Sequence, residues 1–258
     1  MSPTPGPAER HGIDRDGDTV RIAGDYQYRA RTAGFIVQRF WHAEKERMIR
    51  RHSMPQAGEA VLDVGCGAGV ISDFLASTGA TVLAIDGNPD AIEFARRRFG
   101  RDGLRFELAR VEELRAEPES IDRTYCFELI EHIHLHQTRE LLRRVHALTK
   151  PRGTITLTTP NFSGVWPAIE KALDLLRLVP RLDGEQHVTH FSAPLLRTVL
   201  AESGWDVEYL STFCTLSPWA SMLGWGFAER LAAREVEWNL RFGSLLFAVA
   251  RKAGESQS

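Results

Sequence analysis

Four residues that could bind a polar ligand stand together in the stretch Ala60-Val-Leu-Asp-Val-Gly-Cys-Gly-Ala-Gly-Val70: Asp63, Gly65, Gly67 and Gly69. Glycines at alternate positions let a backbone turn tightly and approach a ligand, because no Cβ intervenes. The apolar run before them suits a strand buried on both faces, and Ile71, Phe74 and Leu75 after them share one helical face. Such a strand-to-helix turn brings a ligand to a helix N-terminus. A second acid, Asp86, ends the next apolar run, Thr81-Val-Leu-Ala-Ile-Asp86, where a carboxylate can accept hydrogen bonds from a ribose diol. The spacing Gly-x-Gly-x-Gly departs from Gly-x-Gly-x-x-Gly, so the fit to a pyrophosphate turn is imperfect. A third group lies in Tyr125-Cys-Phe-Glu-Leu-Ile-Glu-His-Ile133. Glu128, Glu131 and His132 there would face a reacting centre. A hydroxyl substrate needs a base near neutral pH, and His is the side chain whose ordinary pKa suits that task. His187 and His190, three apart in Gly184-Glu-Gln-His-Val-Thr-His-Phe-Ser192, could each be a base, a substrate contact or a capping residue. No Cys-x-x-Cys pair suggests zinc, and no nucleophile elbow is present.

The elements that must position these residues alternate as strands and helices, which implies a Rossmann-like, mostly parallel seven-stranded sheet with helices on both faces. The patterning predicts strands over 60–65, 81–86, 104–109, 122–128, 153–159, 205–213 and 244–251. It predicts helices over 69–78, 89–99, 136–149 and 192–203, the last with Ser192 as N-cap and Gly204 at its end. Lys150-Pro-Arg-Gly153 reads as a turn. Ligands of such sheets bind at the carboxyl ends of the strands. The domain reading is a disordered tail over 1–24, an N-terminal helical lid over 25–55, and a ligand-binding domain over 56–258 with insertions at 161–190 and 214–243. The first insertion leaves from the binding edge and should roof the substrate pocket. The second should form a helix with Trp219, Met222, Leu223 and Phe227 on one side.

Val61-Leu-Asp-Val-Gly-Cys-Gly-Ala-Gly69, Asp86-Gly-Asn-Pro89 and Ala91-Ile-Glu-Phe-Ala95 together resemble the class I S-adenosylmethionine (SAM) methyltransferases. Cys-x-Glu-x-x-Glu-His from Cys126 is similar to the same segment of the ubiquinone-biosynthesis type O-methyltransferases. The resemblance implies that Gly65, Cys66, Gly67 and Gly69 cradle the methionine part of the cofactor and that Asp63 orients the loop or the cofactor's amine. It implies that Asp86 holds the ribose, with Gly87 and Asn88 along the adenosine. Many members carry an acid where Arg110 stands, so adenine would instead be held by the main chain near Val111. Phe127 and Glu128 would close the cofactor site at the end of strand four. It implies His132 as base, supported by Glu131 and His187, and an antiparallel last strand between strands five and six. No metal ligand is assigned, and a divalent metal is not favoured. The activity implied is methyl transfer from SAM to a small-molecule hydroxyl, releasing S-adenosylhomocysteine. The alternatives are methylation of a small-molecule amine, a nicotinamide-linked oxidoreductase, and a non-catalytic SAM-binding protein.

The net charge of −2, with scattered basic residues, argues against a nucleic-acid surface. Cys66, Cys126 and Cys214 lie far apart, which suits a reducing, cytoplasmic compartment. Tyr209 to Ala228 carries no formal charge. Its serines, threonines, glycines and proline argue against a membrane span and for a half-buried helix that covers the site or rests on a membrane surface. The sequence assigns no oligomeric state.

Overall fold

The computed structural model describes residues 24–169, 171, 187–238 and 240–254. The expected tail and the interior of the first insertion lie outside them. Two helices come first, α1 (Tyr26–Thr32) and α2 (Ile36–His52). The chain then runs β1 (Ala60–Val64), α3 (Val70–Ala76), β2 (Thr81–Asp86), α4 (Pro89–Phe99), β3 (Leu104–Leu108), β4 (Ile121–Phe127), α5 (Leu135–Leu148) and β5 (Thr149–Pro160). After the first insertion come α6 (Ala193–Glu202), β6 (Trp205–Phe213), α7 (Ser217–Ala220), α8 (Trp225–Glu237) and β7 (Leu245–Lys252). The described residues form one seven-stranded sheet ordered β3-β2-β1-β4-β5-β7-β6. β1 to β5 are parallel, and β7 runs antiparallel between β5 and β6 as expected.

Alternation along the strands feeds two apolar layers. On one face Leu62, Cys126, Ile155, Leu157, Leu246 and Ala248 pack against α5 and α6 through Leu142, Val145, Leu196 and Leu200. On the other, Val61, Val82, Tyr125, Phe127 and Phe247 meet Met48 and Ile49 of α2, Leu75 of α3 and Ile92 of α4. Burial on both faces is why these strands read as continuous apolar runs. The order reverses between β1 and β4, which opens a crevice at their carboxyl ends.

Three expectations are corrected. The N-terminal helical segment is two helices, parted at Gly34, where an added Cβ would stand 2.4 Å from the Ala30 carbonyl oxygen. The expected turn Lys150-Pro-Arg-Gly153 is part of β5. Arg152 adopts φ 68° and the β4–β5 register breaks between Ile121 and Arg123, so an irregularity absorbs the turn residues without ending the strand. The second insertion holds two helices, because Gly224, at φ 146°, parts α7 from α8. Trp219, Met222, Leu223 and Phe227 are exposed on this pair and do not pack into the core. Among the described residues no helix is long and apolar enough to cross a membrane.

Candidate active site

One side of the crevice is built from turns. Gly65, Gly67 and Gly69 take φ of 74°, 49° and 79°, a region in which side chains other than glycine are strained. The amides of Gly65 and Cys66 both donate to the Ile85 carbonyl, and Gly67 N–H donates to Asp86 Oδ2 at 2.8 Å. The glycine turn is thereby held on the end of β2. A Cβ at Gly69 would approach the Phe106 ring to 2.7 Å. Asp86 Oδ1 accepts from Asn88 N–H at 2.7 Å. Each carboxylate oxygen keeps a further lone pair for a ligand hydroxyl. Burial pushes the Asp86 pKa up, and the Asn88 and Gly67 amides oppose that rise. Asn88 Oδ1 also caps α4, accepting from the amides of Asp90 and Ala91.

Asp63 lies under the turn, 2% exposed, and accepts from the Ser72 hydroxyl at 2.6 Å. Burial raises its carboxyl to about 7, with the Asp86 charge adding to the rise and Ser72 opposing it. Cys66, Cys126 and Cys214 are buried free thiols, each pushed well up by burial, so they pack as small apolar groups.

A cleft of about 530 Å³ runs from this turn along the sheet edge. Gly65, Gly67, Asp86, Gly87, Asn88, Arg110, Val111, Glu128 and His132 line it, together with Tyr26 and Gln27 of α1. Gly87 leaves its wall open, since an added Cβ would meet nothing within 4 Å. The wall thus offers room for a nucleoside beside a carboxylate suited to its diol. A smaller recess opens beside it between Asp63, Cys66, Phe127 and Glu128 on one side and Gln27, Arg31, His42 and Lys45 on the other. Lys45, 4% exposed, pairs there with Glu128 at 2.6 Å. Glu128 sits at φ 51°, a strained conformation for glutamate. Burial lowers the His42 pKa well below its ordinary value, and the Lys45 and Arg31 charges lower it further.

The far side of the crevice is bordered by side chains from distant segments. The amides of Val188 and Thr189 both donate to the Glu131 carbonyl, and the Thr189 hydroxyl donates to the Ile133 carbonyl. This strap lays His187 on His132, with ring centroids 5.2 Å apart and planes within 25°. Trp166 and Phe162 meet His187 edge-on, Phe162 stacks on His190 at 4.1 Å, and Trp41 of α2 meets Trp166 at 5.5 Å.

Glu131 departs from its expected position. Its side chain turns inward from the short 3-10 turn Ile130–His132, is 1% exposed, and accepts from the Thr159 hydroxyl at 3.0 Å. Burial raises its carboxyl to about 8, with Glu128 adding to the rise. Donor atoms of Glu131, His132 and His187 nevertheless all lie within 4.8 Å of one another. A carboxylate and two imidazoles are ligands suited to a divalent transition ion. Gly69, Glu131 and His187 stand behind or beside the cleft wall rather than in it.

Several residues escaped the sequence reading: Gln27, whose Oε1 accepts from Ala68 N–H at 3.3 Å, Arg31, His42, Lys45 and Thr159. One signal was available for Lys45. It falls between Trp41 and Met48 at helical spacing, inside the apolar stripe of α2.

An open parallel sheet with one antiparallel strand in this order, a glycine turn after β1 and an acid after β2 define a nucleoside-binding α/β domain. The sequence profile described as "Methyltransferase domain" matches residues 61–153. A ubiquinone biosynthesis O-methyltransferase of Xanthomonas euvesicatoria is 34% identical over 169 residues, 63% of this chain and 69% of that protein. One from Thiobacillus denitrificans is 32% identical over 163 residues, 61% and 68% of the two chains. The fold is similar to that of a SAM-dependent methyltransferase from Mesorhizobium loti (TM-score 0.62, 21% identity, 82% of this chain and 99% of that one). It also resembles geranyl diphosphate C-methyltransferase from Streptomyces coelicolor (TM-score 0.60, 13% identity, 95% and 91%). The chain belongs to the class I SAM-dependent methyltransferases. It is an enzyme, its cofactor is SAM, and its cofactor product is S-adenosylhomocysteine.

Proposed function

We propose that this methyltransferase acts on a hydroxyl of a planar aromatic small molecule, with His132 as the base. The observation that carries this reading is the imidazole pair made by His132, which lines the cleft, and His187, which stacks on it from beside the wall with Phe162 and Trp166 edge-on to it. Flat aromatic walls favour a ring-shaped acceptor by stacking. The names of the relatives from Xanthomonas and Thiobacillus also support oxygen as the methylated atom.

SAM supplies a methyl group already activated for in-line displacement by its positive sulfur. The protein binds, orients and deprotonates. The glycine turn would receive the methionine part. The Asp86 carboxylate would take the ribose diol, Val111 and Arg110 would border the base, and Asp63 would stiffen the turn through Ser72. Lys45 and Glu128 would face the amino-acid end of the cofactor across the small recess. His132 would accept the acceptor's proton as the C–O bond forms and the C–S bond breaks. Glu131 would act through its backbone, holding the strap that sets His187 against His132, so it is a positioning residue. α1 and α2 would serve as the lid, since Tyr26 lines the cleft, Lys45 the small recess and Gln27 both.

A second reading rests on the three-donor cluster of Glu131, His132 and His187. A divalent ion there would bind the acceptor oxygen and lower its pKa, replacing the base.

The test is transfer of a labelled methyl group to matched phenols, catechols and anilines. Labelling of hydroxyls, lost in His132→Ala with SAM affinity kept, supports the first reading. Activity abolished by chelator and restored by a divalent cation supports the second. Labelling of amines alone defeats both.

A further inference from the structure

The pair α7–α8 carries a surface that neither the core nor the active site uses. Its inner side is already packed: Ala220, Ala228 and Ala232 close on Phe40 of α2, with Trp225 edge-on to Phe40 at 5.0 Å. Its outer side is apolar. Exposure runs from 40% at Trp219 through Met222 and Phe227 to 82% at Leu223. Monomeric soluble proteins rarely leave such a run uncovered.

Charge says what covers it. Phe227, Arg230, Arg234 and Trp238 recur at helical spacing, and all four are exposed. Aromatics and arginines therefore share the outward stripe of α8. The carboxylates of α8 mostly face elsewhere. Glu229 pairs with Arg47 and accepts from the Trp225 indole, and Glu235 is buried, accepting from the amides of Thr215, Leu216 and Ser217. Glu237 stays exposed beside the stripe, and Glu229 is half-exposed with its charge already paired to Arg47. Beyond Trp238 the exposed Arg241 and Phe242 repeat the pairing. Tryptophan, phenylalanine and leucine immersed among cations is the composition that rests in the headgroup layer of an anionic bilayer.

We propose that α7–α8 is a docking surface for an anionic lipid bilayer. Leu223, Trp219 and Phe227 enter the acyl boundary, and Arg230 and Arg234 meet lipid phosphates. The surface adjoins the acceptor side of the site: the Phe242 carbonyl accepts from Val165 N–H, and Trp166 follows at His187. The docking does not depend on which atom is methylated.

The test is co-sedimentation with phosphatidylcholine vesicles, with and without phosphatidylglycerol. Binding should need phosphatidylglycerol and weaken as salt rises. Arg230→Ala and Arg234→Ala should each weaken it roughly fivefold, and Leu223→Glu should abolish it. Each variant should keep its affinity for SAM, which certifies its fold. Equal binding to neutral vesicles, no binding to either kind, or an undiminished Leu223→Glu variant overturns the proposal. So does a concentration-dependent dimer dissolved by Leu223→Glu without any vesicle binding.

Discussion

The proposed cofactor wall of the cleft and the aromatic cluster proposed to meet the acceptor beside it are built from different materials. The proposed cofactor wall is main chain. Its key contacts are amides of Gly65, Cys66, Gly67 and Asn88 closing on Ile85 and Asp86, all within neighbouring strand–turn–helix units. The proposed acceptor wall is side chain, and of its members only His132 lines the cleft itself. Trp41, His132, Phe162, Trp166 and His187 come from separate segments and meet only because the sheet and the strap over Glu131 bring them together. A wall of backbone turns is fixed by where glycines and acids fall. A wall of side chains is fixed by the packing of the whole molecule, and it can change composition without disturbing the turns.

That contrast can be broken from either side. The largest effect is expected at the glycine turn. Gly69→Val puts a Cβ 2.7 Å from the Phe106 ring at φ 79°, so calorimetry should detect no SAM binding, and thermal stability should fall with it. On the opposite wall, His132→Ala should lower kcat by roughly 10²- to 10⁴-fold, the usual worth of a general base, while the Kd for SAM stays put. A parallel loss of SAM affinity would show that the two walls are not separable. Asp86→Ala removes a charged acceptor for the ribose and should raise the Kd for SAM by roughly 10- to 100-fold. That rise should appear with kcat at saturating cofactor nearly unchanged.

The smallest effect concerns the joint between α2 and the α7–α8 pair. Glu44 is 2% exposed, and burial raises its carboxyl to about 7, opposed by Arg47 and reinforced by Glu235 and Glu229. The folded state therefore holds this proton more tightly than the unfolded chain, whose carboxyl titrates near 4.5. Stability should fall as pH rises from 4.5 through 7, by up to roughly 3 kcal/mol from this group. Glu44→Gln should flatten that slope in thermal melts between pH 5 and 8. An unchanged slope would assign the pH dependence to Asp63 or Glu131, which burial raises in the same direction.

The difference between the walls also explains what could be read in advance. The strands and the helix N-cap at Ser192 follow from patterns a few residues long, the antiparallel last strand follows from the family resemblance, and the structure carries them. Asp86 and the glycines could be located because their contacts are local. His187 could be noticed but not placed, since its position depends on the Val188 and Thr189 amides finding the Glu131 carbonyl across the fold. Glu131 was expected at the cleft because the Cys-x-Glu-x-x-Glu-His run ends the fourth strand at the carboxyl edge of the sheet. The 3-10 turn rotates it inward to Thr159, a contact between segments 28 residues apart. Lys45 was hidden by its charge: its place in the apolar stripe of α2 hints at burial, but the partner that makes burial tolerable, Glu128, stands 83 residues away.

The antiparallel β7 has a consequence for the order in which this molecule can come into being. β5 and β6 each pair with β7 and not with one another. Thr154 on β5 waits for Arg251, and Trp205 on β6 waits for Lys252. During synthesis the parallel half of the sheet, with its glycine turn, can assemble while β6 still has no neighbour. Asn161, which donates to the carbonyls of Arg241 and Gly243, likewise stays unanchored until that stretch emerges. The nascent chain can thus form its glycine turn first, and β7, arriving late into the middle of the sheet, is the step that joins β6 to the rest.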